Sequence, residues 1–186
     1  MECFLALPLD APGRAGYPAA MKIAFIGTHG VGKTTLCFEL AAALKRLELS
    51  VDLIKEVARR CPLPINRDTT DQAQRWILHT QIADEIELAP LYDVIVCDRA
   101  VLDNYAYLVL ASGRQPDLEP IIRSWLDTYR LLVKVPIMSP PSYDGTRDVS
   151  VGFQREIDRV LDGLVDEFGL RPLRLPADDR SRWVPD

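Results

Sequence analysis

The sequence predicts an α/β fold, a three-layer α/β/α sandwich built on a five-stranded parallel sheet, and three observations predict it. Short apolar runs alternate with longer segments of helical periodicity along most of the 186 residues. A glycine-rich loop, Gly27 to Thr34, joins the first apolar run directly to a helical segment. The run Val94-Ile95-Val96-Cys97 is continuously apolar, as a parallel strand covered on both faces must be. Strands alternating with helices imply right-handed crossovers, with ligands at the carboxyl ends of the strands.

Lys22 to Ile26 is the first strand, and the loop after it opens a helix over Thr34–Leu49, where Leu36, Leu40, Ala43, Leu44 and Leu47 recur at helical spacing. Val51–Val57 reads as the second strand. Pro62 and Pro64 make residues 59–67 a loop, and Thr69 or Thr70 caps a helix reaching about Leu88, with Trp76, Ile77, Ile82 and Ile86 on its buried side. The third strand ends at Asp98, and the helix Val101–Ser112 stops at Gly113. Leu118–Tyr129 is a further helix and Arg130–Val135 the fourth strand. Met138–Val149, with Pro140, Pro141 and Gly145, is a long loop and a candidate lid. Phe153, Ile157, Val160, Leu161, Leu164, Val165 and Phe168 trace one face of a helix that Gly169 ends. Leu170–Leu175 supplies the fifth strand, and the polar stretch Pro176–Asp186 trails past it. The expected organisation is a flexible extension over residues 1–20 and one nucleotide-binding domain over 21–186.

Composition narrows the function. With 27 acidic against 22 basic residues and a net charge of −5, the chain is not expected to coat a nucleic acid polymer or an anionic membrane. The four cysteines, Cys3, Cys37, Cys61 and Cys97, form no metal-ligand or disulfide pattern, which fits reduced thiols and a cytoplasmic location. No apolar run approaches the roughly 20 residues that span a bilayer.

The loop carries the chemistry. Gly27, Thr28, His29, Gly30, Val31, Gly32, Lys33, Thr34 and Thr35 match the Walker A spacing, in which backbone N–H groups wrap phosphate oxygens and a helix N-terminus points at the anion. The fold expected is therefore that of the P-loop NTPases. Lys33 reaches the β and γ phosphates, Thr34 holds magnesium, and ATP with Mg²⁺ is the expected ligand pair. Asp98, after the apolar run, has the form of a Walker B acid that binds the metal or accepts a hydroxyl proton; the alternative is a cap for the following helix.

Glu56, Asp98 and Arg99 all fall at carboxyl ends of strands, the edge where the loop opens. Glu56 is either a catalytic or acceptor-binding carboxylate or a partner for Arg59 or Arg60. Arg99 either faces the acceptor or pairs with Asp103 four residues on. Arg147 in the lid and Arg155 in the next helix are candidates for γ-phosphate contacts, because cations early in a helix oppose its dipole unless an anion is near; Arg159 is expected to pair with Asp162. Gln72, Gln74, Gln81, Trp76 and Tyr105 are candidates for an acceptor pocket, although its helical spacing makes Trp76 a core residue.

The segments Gly27–Thr35, Lys55–Arg60, Val94–Arg99 with Asp103-Asn104-Tyr105, and Asp144–Asp148 together resemble the small phosphate-loop kinases. The resemblance is to the AAA-labelled ATP-binding family that includes the bacterial ribosylnicotinamide kinase domain, and more distantly to deoxynucleoside and thymidylate kinases. It covers nearly all of Met21–Leu175. It implies strand order 2-3-1-4-5, phosphoryl transfer from ATP to a small hydroxyl acceptor of nucleoside or nucleotide type, catalytic roles for Lys33, Asp98, Arg147 and Glu56, acceptor contacts from Glu56, Arg99 and Asp103, and a monomer or homodimer. The competing class is an ATPase that couples hydrolysis to a partner. A guanine-reading Asn-Lys-x-Asp and a transporter-type Ser-Gly-Gly are both absent from the sequence.

Overall fold

The structure is a computed structural model that describes residues 20–141, 150–178, 180 and 183. In chain order its elements are β1 (Met21–Ile26), α1 (Lys33–Arg46), β2 (Val51–Ile54), α2 (Asp71–Leu88), β3 (Val94–Asp98), α3 (Val101–Ser112), α4 (Glu119–Leu126), β4 (Tyr129–Lys134), α5 (Val151–Glu167) and β5 (Leu173–Arg174). The five strands form one parallel sheet in the order β2-β3-β1-β4-β5. Register aligns Phe25 of β1 with Asp98 of β3 and Val133 of β4, so three carboxyl ends finish side by side.

Strand alternation divides the core in two. Ile23 and Phe25 face one side with Val94 and Val96, and α1 covers them through Leu36, Cys37 and Leu40. Ala24 and Ile26 face the other side with Ile95 and Cys97, under α2, α3, α4 and α5. The inner strands are buried on both faces, which is why their sequences are continuously apolar.

Several boundaries differ from the sequence reading, each for a local reason. Strand β2 stops at Ile54 because the chain winds into a 3-10 turn at Val57–Arg60, with Glu56 in the N-cap position. Helix α1 stops at Arg46 and is followed by Glu48 at φ 63°. Tyr129 belongs to β4, and β5 is only two residues long. In α2 the buried stripe runs through Ala73, Gln74, Ile77, Leu78, Gln81 and Glu85, leaving Ile86 exposed. That stripe is polar because the Glu85 carboxylate accepts from Lys22 Nζ (2.7 Å), Gln81 Nε2 (2.8 Å), Trp125 Nε1 (2.8 Å) and Tyr129 OH (2.6 Å). A buried charge so completely bonded is tolerated where a lone one is not. The stretch after β5 does not trail away: Trp183 is buried against the α1 face of the sheet. The extension expected over residues 1–20 lies, but for Ala20, outside the described residues. Among those described, no helix is long and apolar enough to cross a membrane.

Candidate functional site

The loop between β1 and α1 is held in shape by its glycine conformations and by a few side chains that bond its backbone. Gly27 has φ 146°, and a Cβ there would sit 2.8 Å from the Val135 carbonyl oxygen; Gly32, the N-cap of α1, has φ 91°. Lys33 Nζ donates to the carbonyls of Gly27 (2.7 Å) and Thr28 (2.6 Å), so the lysine draws both ends of the loop around itself. Burial, with the neighbouring Arg99 guanidinium adding to it, lowers the Lys33 pKa to about 8. The first turn of α1 carries no acidic residue and Gly32 supplies no capping side chain, which leaves that helix end suited to an external anion. Helix α5 braces the loop from behind. The Thr28 hydroxyl donates to the Gln154 carbonyl (2.8 Å), and Gln154 Nε2 donates to the His29 carbonyl (3.0 Å). Thr28 is thus a buried part of the loop's support, whereas His29 and the stretch from Gly30 to Thr35 line a cavity.

At the end of β3 the Thr34 hydroxyl donates to Asp98 Oδ2 at 2.5 Å. Strand order produces this contact, since β3 lies directly beside β1. A hydroxyl and a carboxylate converging next to the loop are hard oxygen donors of the kind Mg²⁺ takes, so the residues present fit that ion.

The next residue, Arg99, adopts φ 96°, a costly conformation for a side-chain-bearing residue, held by its N–H bond to the Phe25 carbonyl (3.2 Å). Its guanidinium is buried and pairs with Glu56 Oε1 through Nε (2.8 Å) and Nη2 (2.7 Å), while its Cζ lies 5.0 Å from the Tyr107 ring centroid. Burial alone would raise the Glu56 pKa, but the Arg99 and Lys33 charges outweigh it and hold the carboxyl at about 2. Glu56 Oε2 also accepts from Arg59 Nε (3.0 Å). Of the alternatives for Glu56, the partnership with Arg59 is present, and the residue also lines both cavities.

Asp103 sits elsewhere than on a substrate surface. It is 1 % exposed, and its oxygens accept from the N–H groups of Gly27 (2.8 Å) and Ala100 (3.0 Å), with Arg99 Nη1 at 3.9 Å. It ties the start of the phosphate loop to the turn carrying Arg99 and lines neither cavity. Arg155 is exposed on α5 and also lines neither, because Gln154 and Ile157 are the residues of α5 turned inward. Arg147 lies outside the described residues. Asp162, expected beside Arg159, pairs instead with Arg174 (3.0 Å) and Lys134 (3.3 Å).

Two cavities meet here. The larger, about 460 Å³, runs along the loop from Gly30 to Thr35 and is closed by Asp98, Met138, Ser139, Arg180 and Trp183. The smaller, about 40 Å³, lies between α2, α3 and the segment after β2, lined by Ile65, Asn66, Gln74, Ile77, Asn104 and Tyr107 among others. His29, Glu56 and Arg99 belong to both. Of the acceptor-pocket candidates read from sequence, Gln74 is in this wall; Gln72 is exposed, Gln81 and Tyr105 are buried away from it, and Trp76 packs on the core. Tyr107, Arg180 and Trp183 carry no expectation from the sequence, and Asn104 enters there only in the segment that carries the resemblance. The signals for them were faint: Asn104 and Tyr107 follow Asp103 on the next helix, and Trp183 is a lone aromatic in a polar stretch.

With β3 next to β1, the acid ending one strand stands beside the phosphate loop ending the other, and that adjacency defines the P-loop NTPases of the kinase type as a class. Within it the chain belongs to the AAA domain family, whose profile matches residues 22–182. Solved structures share the fold. A thymidylate kinase from Ehrlichia chaffeensis superposes with a TM-score of 0.63 at 17% identity, covering 90% of this chain and 95% of that one. A deoxyadenosine kinase from M. mycoides, solved with the products dCMP and a flexible dCDP, superposes with a TM-score of 0.61 at 17% identity, covering 88% and 95%. No curated protein sequence matches the chain significantly.

Proposed function

We propose that this protein transfers the γ-phosphoryl group of ATP, with magnesium, to a hydroxyl of a small acceptor of nucleoside or nucleotide type. The observation that carries the reading is the second cavity. Hydrolysis needs one triphosphate site and water, whereas here a second pocket shares a charged wall with the cavity along the phosphate loop. That pocket is lined by two residues whose buried donors, Asn104 Nδ2 and Arg99 Nη1, have no hydrogen-bond partner among the described residues, the second standing 3.9 Å from the Asp103 carboxylate. Buried donors left unpaired are costly and call for acceptor atoms from a ligand. The two kinases sharing the fold act on nucleoside or nucleotide substrates, which supports the same class here.

Phosphoryl transfer asks mainly for positioning and for neutralising charge on the equatorial oxygens. Lys33, fixed inside the loop, provides that charge at an unvarying position. Thr34 and Asp98 would hold the magnesium, whose chemistry is to neutralise the phosphate oxygens. Glu56, ionised well below neutrality, is a weak base but a strong hydrogen-bond acceptor, so it orients the acceptor hydroxyl while keeping Arg99 in place. Asp98 is the carboxylate left to take the hydroxyl proton.

The test is an ATP-consumption screen over nucleosides, ribosylnicotinamide and mononucleotides with product detection. Consumption that requires one acceptor and yields its phosphorylated form is expected. Brisk hydrolysis without acceptor, unchanged by every candidate, would replace this reading with that of an ATPase.

A further inference from the structure

Beyond β5 the chain turns back onto the sheet. Trp183 is 2 % exposed, packs in the cluster that contains Leu36 and Cys37 of α1, donates its indole N–H to the Pro176 carbonyl (2.8 Å) and its backbone N–H to the Arg180 carbonyl (3.1 Å). This anchor places Arg180 over the phosphate loop. Its guanidinium atoms lie 3.1 to 3.4 Å from where a Cβ on Gly32 would stand, and Arg180 and Trp183 both line the larger cavity. Arg180 is itself exposed and has no acidic partner among the described residues; its Cζ lies 5.8 Å from the centroid of the Trp183 ring.

The electrostatics of this placement are unfavourable without a ligand. A guanidinium with no acidic partner among the described residues rests at the N-terminal end of α1, where the helix dipole repels cations, and shares a cavity with Lys33 and Arg99. Glu56 already neutralises Arg99, and Asp98 bonds to Thr34. A polyanion on the loop reverses the sign of every one of these terms. Arginine is also suited to phosphate oxygens by its fork of donors.

We infer that Arg180 is a donor-binding residue that contacts the phosphates of the nucleoside triphosphate, and that Trp183 is the positioning residue that holds it there. This rests on the reading above that the loop takes a nucleoside triphosphate. The chain then supplies a donor-side cation from beyond its last strand, fixed in place before the nucleotide arrives.

The test is calorimetric titration of the full chain with ADP and magnesium. Arg180→Ala is expected to weaken ADP binding about tenfold or more, the size of a charge-assisted bond to phosphate, and to flatten the salt dependence of the affinity. Arg180→Lys is expected to restore part of the loss. Trp183→Phe keeps ring bulk but removes the indole bond; it is expected to weaken ADP by less and to add little in the double variant, as a residue acting through Arg180 should. Because Arg180 is exposed, the melting temperature of Arg180→Ala should match the wild type, separating lost contact from lost fold. ADP affinity that is unchanged in Arg180→Ala overturns the inference, and tighter binding overturns it in favour of a segment that obstructs the loop. If the wild type binds no ADP, the nucleotide reading of the loop falls and Arg180 with it; if it binds and the variant binds equally, only Arg180 is refuted.

Discussion

The two cavities share a wall but are built by opposite means. The donor side is a backbone structure: glycine conformations, carbonyls gripping Lys33 and an open helix end, with side chains needed at few points. The acceptor side is made of side chains from four separate segments, Glu56 and Arg59 after β2, Ile65 and Asn66 in the following loop, Gln74 and Ile77 on α2, and Asn104 and Tyr107 on α3. They also differ in size, about 460 against 40 Å³. A backbone cradle recognises what all nucleoside triphosphates have in common. On the function proposed above, a small pocket of side chains, two of whose donors have no hydrogen-bond partner among the described residues, would recognise one molecule by hydrogen bonds whose loss is expensive. The donor end would then carry affinity and the acceptor end choice.

The largest blow to one half alone is Lys33→Met. Removing the charge at the centre of the loop is expected to cost about 10² to 10³ in turnover, the loss typical of a preorganised electrostatic contact, and to abolish measurable ATP binding. Acceptor binding measured without ATP should survive. If it disappears as well, the two halves are one cooperative unit and the division drawn above is broken.

Next in size is Glu56→Gln, which strikes the shared wall. The carboxylate is buried beside Arg99, so the amide leaves a guanidinium with too little counter-charge, and a loss of about 3 kcal/mol in stability is expected at neutral pH. The pH dependence has a definite sign. The folded-state pKa of about 2 lies below the ordinary 4.5, so the carboxylate's contribution is complete above pH 4.5 and is lost as pH falls towards 2. The shift of about 2.5 pKa units corresponds to about 3 kcal/mol. Denaturant melts at pH 7 and pH 3 should therefore show the gap between wild type and variant shrinking at the lower pH. An equal gap at both would mean that Glu56 stabilises by packing and not by charge.

The same contrast explains what could be read from the sequence. Contiguity made the donor half legible: Gly27, Gly30, Gly32, Lys33 and Thr34 stand in one stretch, and the spacing that wraps a phosphate is the spacing of the residues. The parallel sheet was legible because inner strands must be apolar on both faces, and Asp98 because it ends such a strand. The acceptor half was not, because its walls meet only after α2 and α3 pack on each other. Apolar periodicity misplaced the inner face of α2, since the groups buried there include Gln74, Gln81 and Glu85, whose partners lie on distant strands and helices. The kinase resemblance gives Asp103 an acceptor contact; only the fold shows that the N–H groups of Gly27 and Ala100 already claim its oxygens. Trp183 and Arg180 were missed because no periodic pattern marks a segment that folds back without forming a helix or a strand.

The mildest perturbation separates the two halves most cleanly. Asn104 is 4 % exposed on α3, and its Nδ2 donor has no hydrogen-bond partner among the described residues. Such a group is a net cost to folding, tolerated if it is reserved for a ligand. Asn104→Leu keeps the number and branching of side-chain heavy atoms and removes the unpaired amide, so stability should be unchanged or rise by up to about 1 kcal/mol. If the amide addresses the acceptor, KM for that acceptor should rise about tenfold while the affinity for ATP, held by a loop that Asn104 does not touch, stays where it was. Steady-state kinetics with each substrate varied in turn, beside a thermal melt, reads all three quantities. A variant that loses stability together with both affinities would show Asn104 to be part of the scaffold, and the acceptor pocket would lose one of the two donors on which its reading depends.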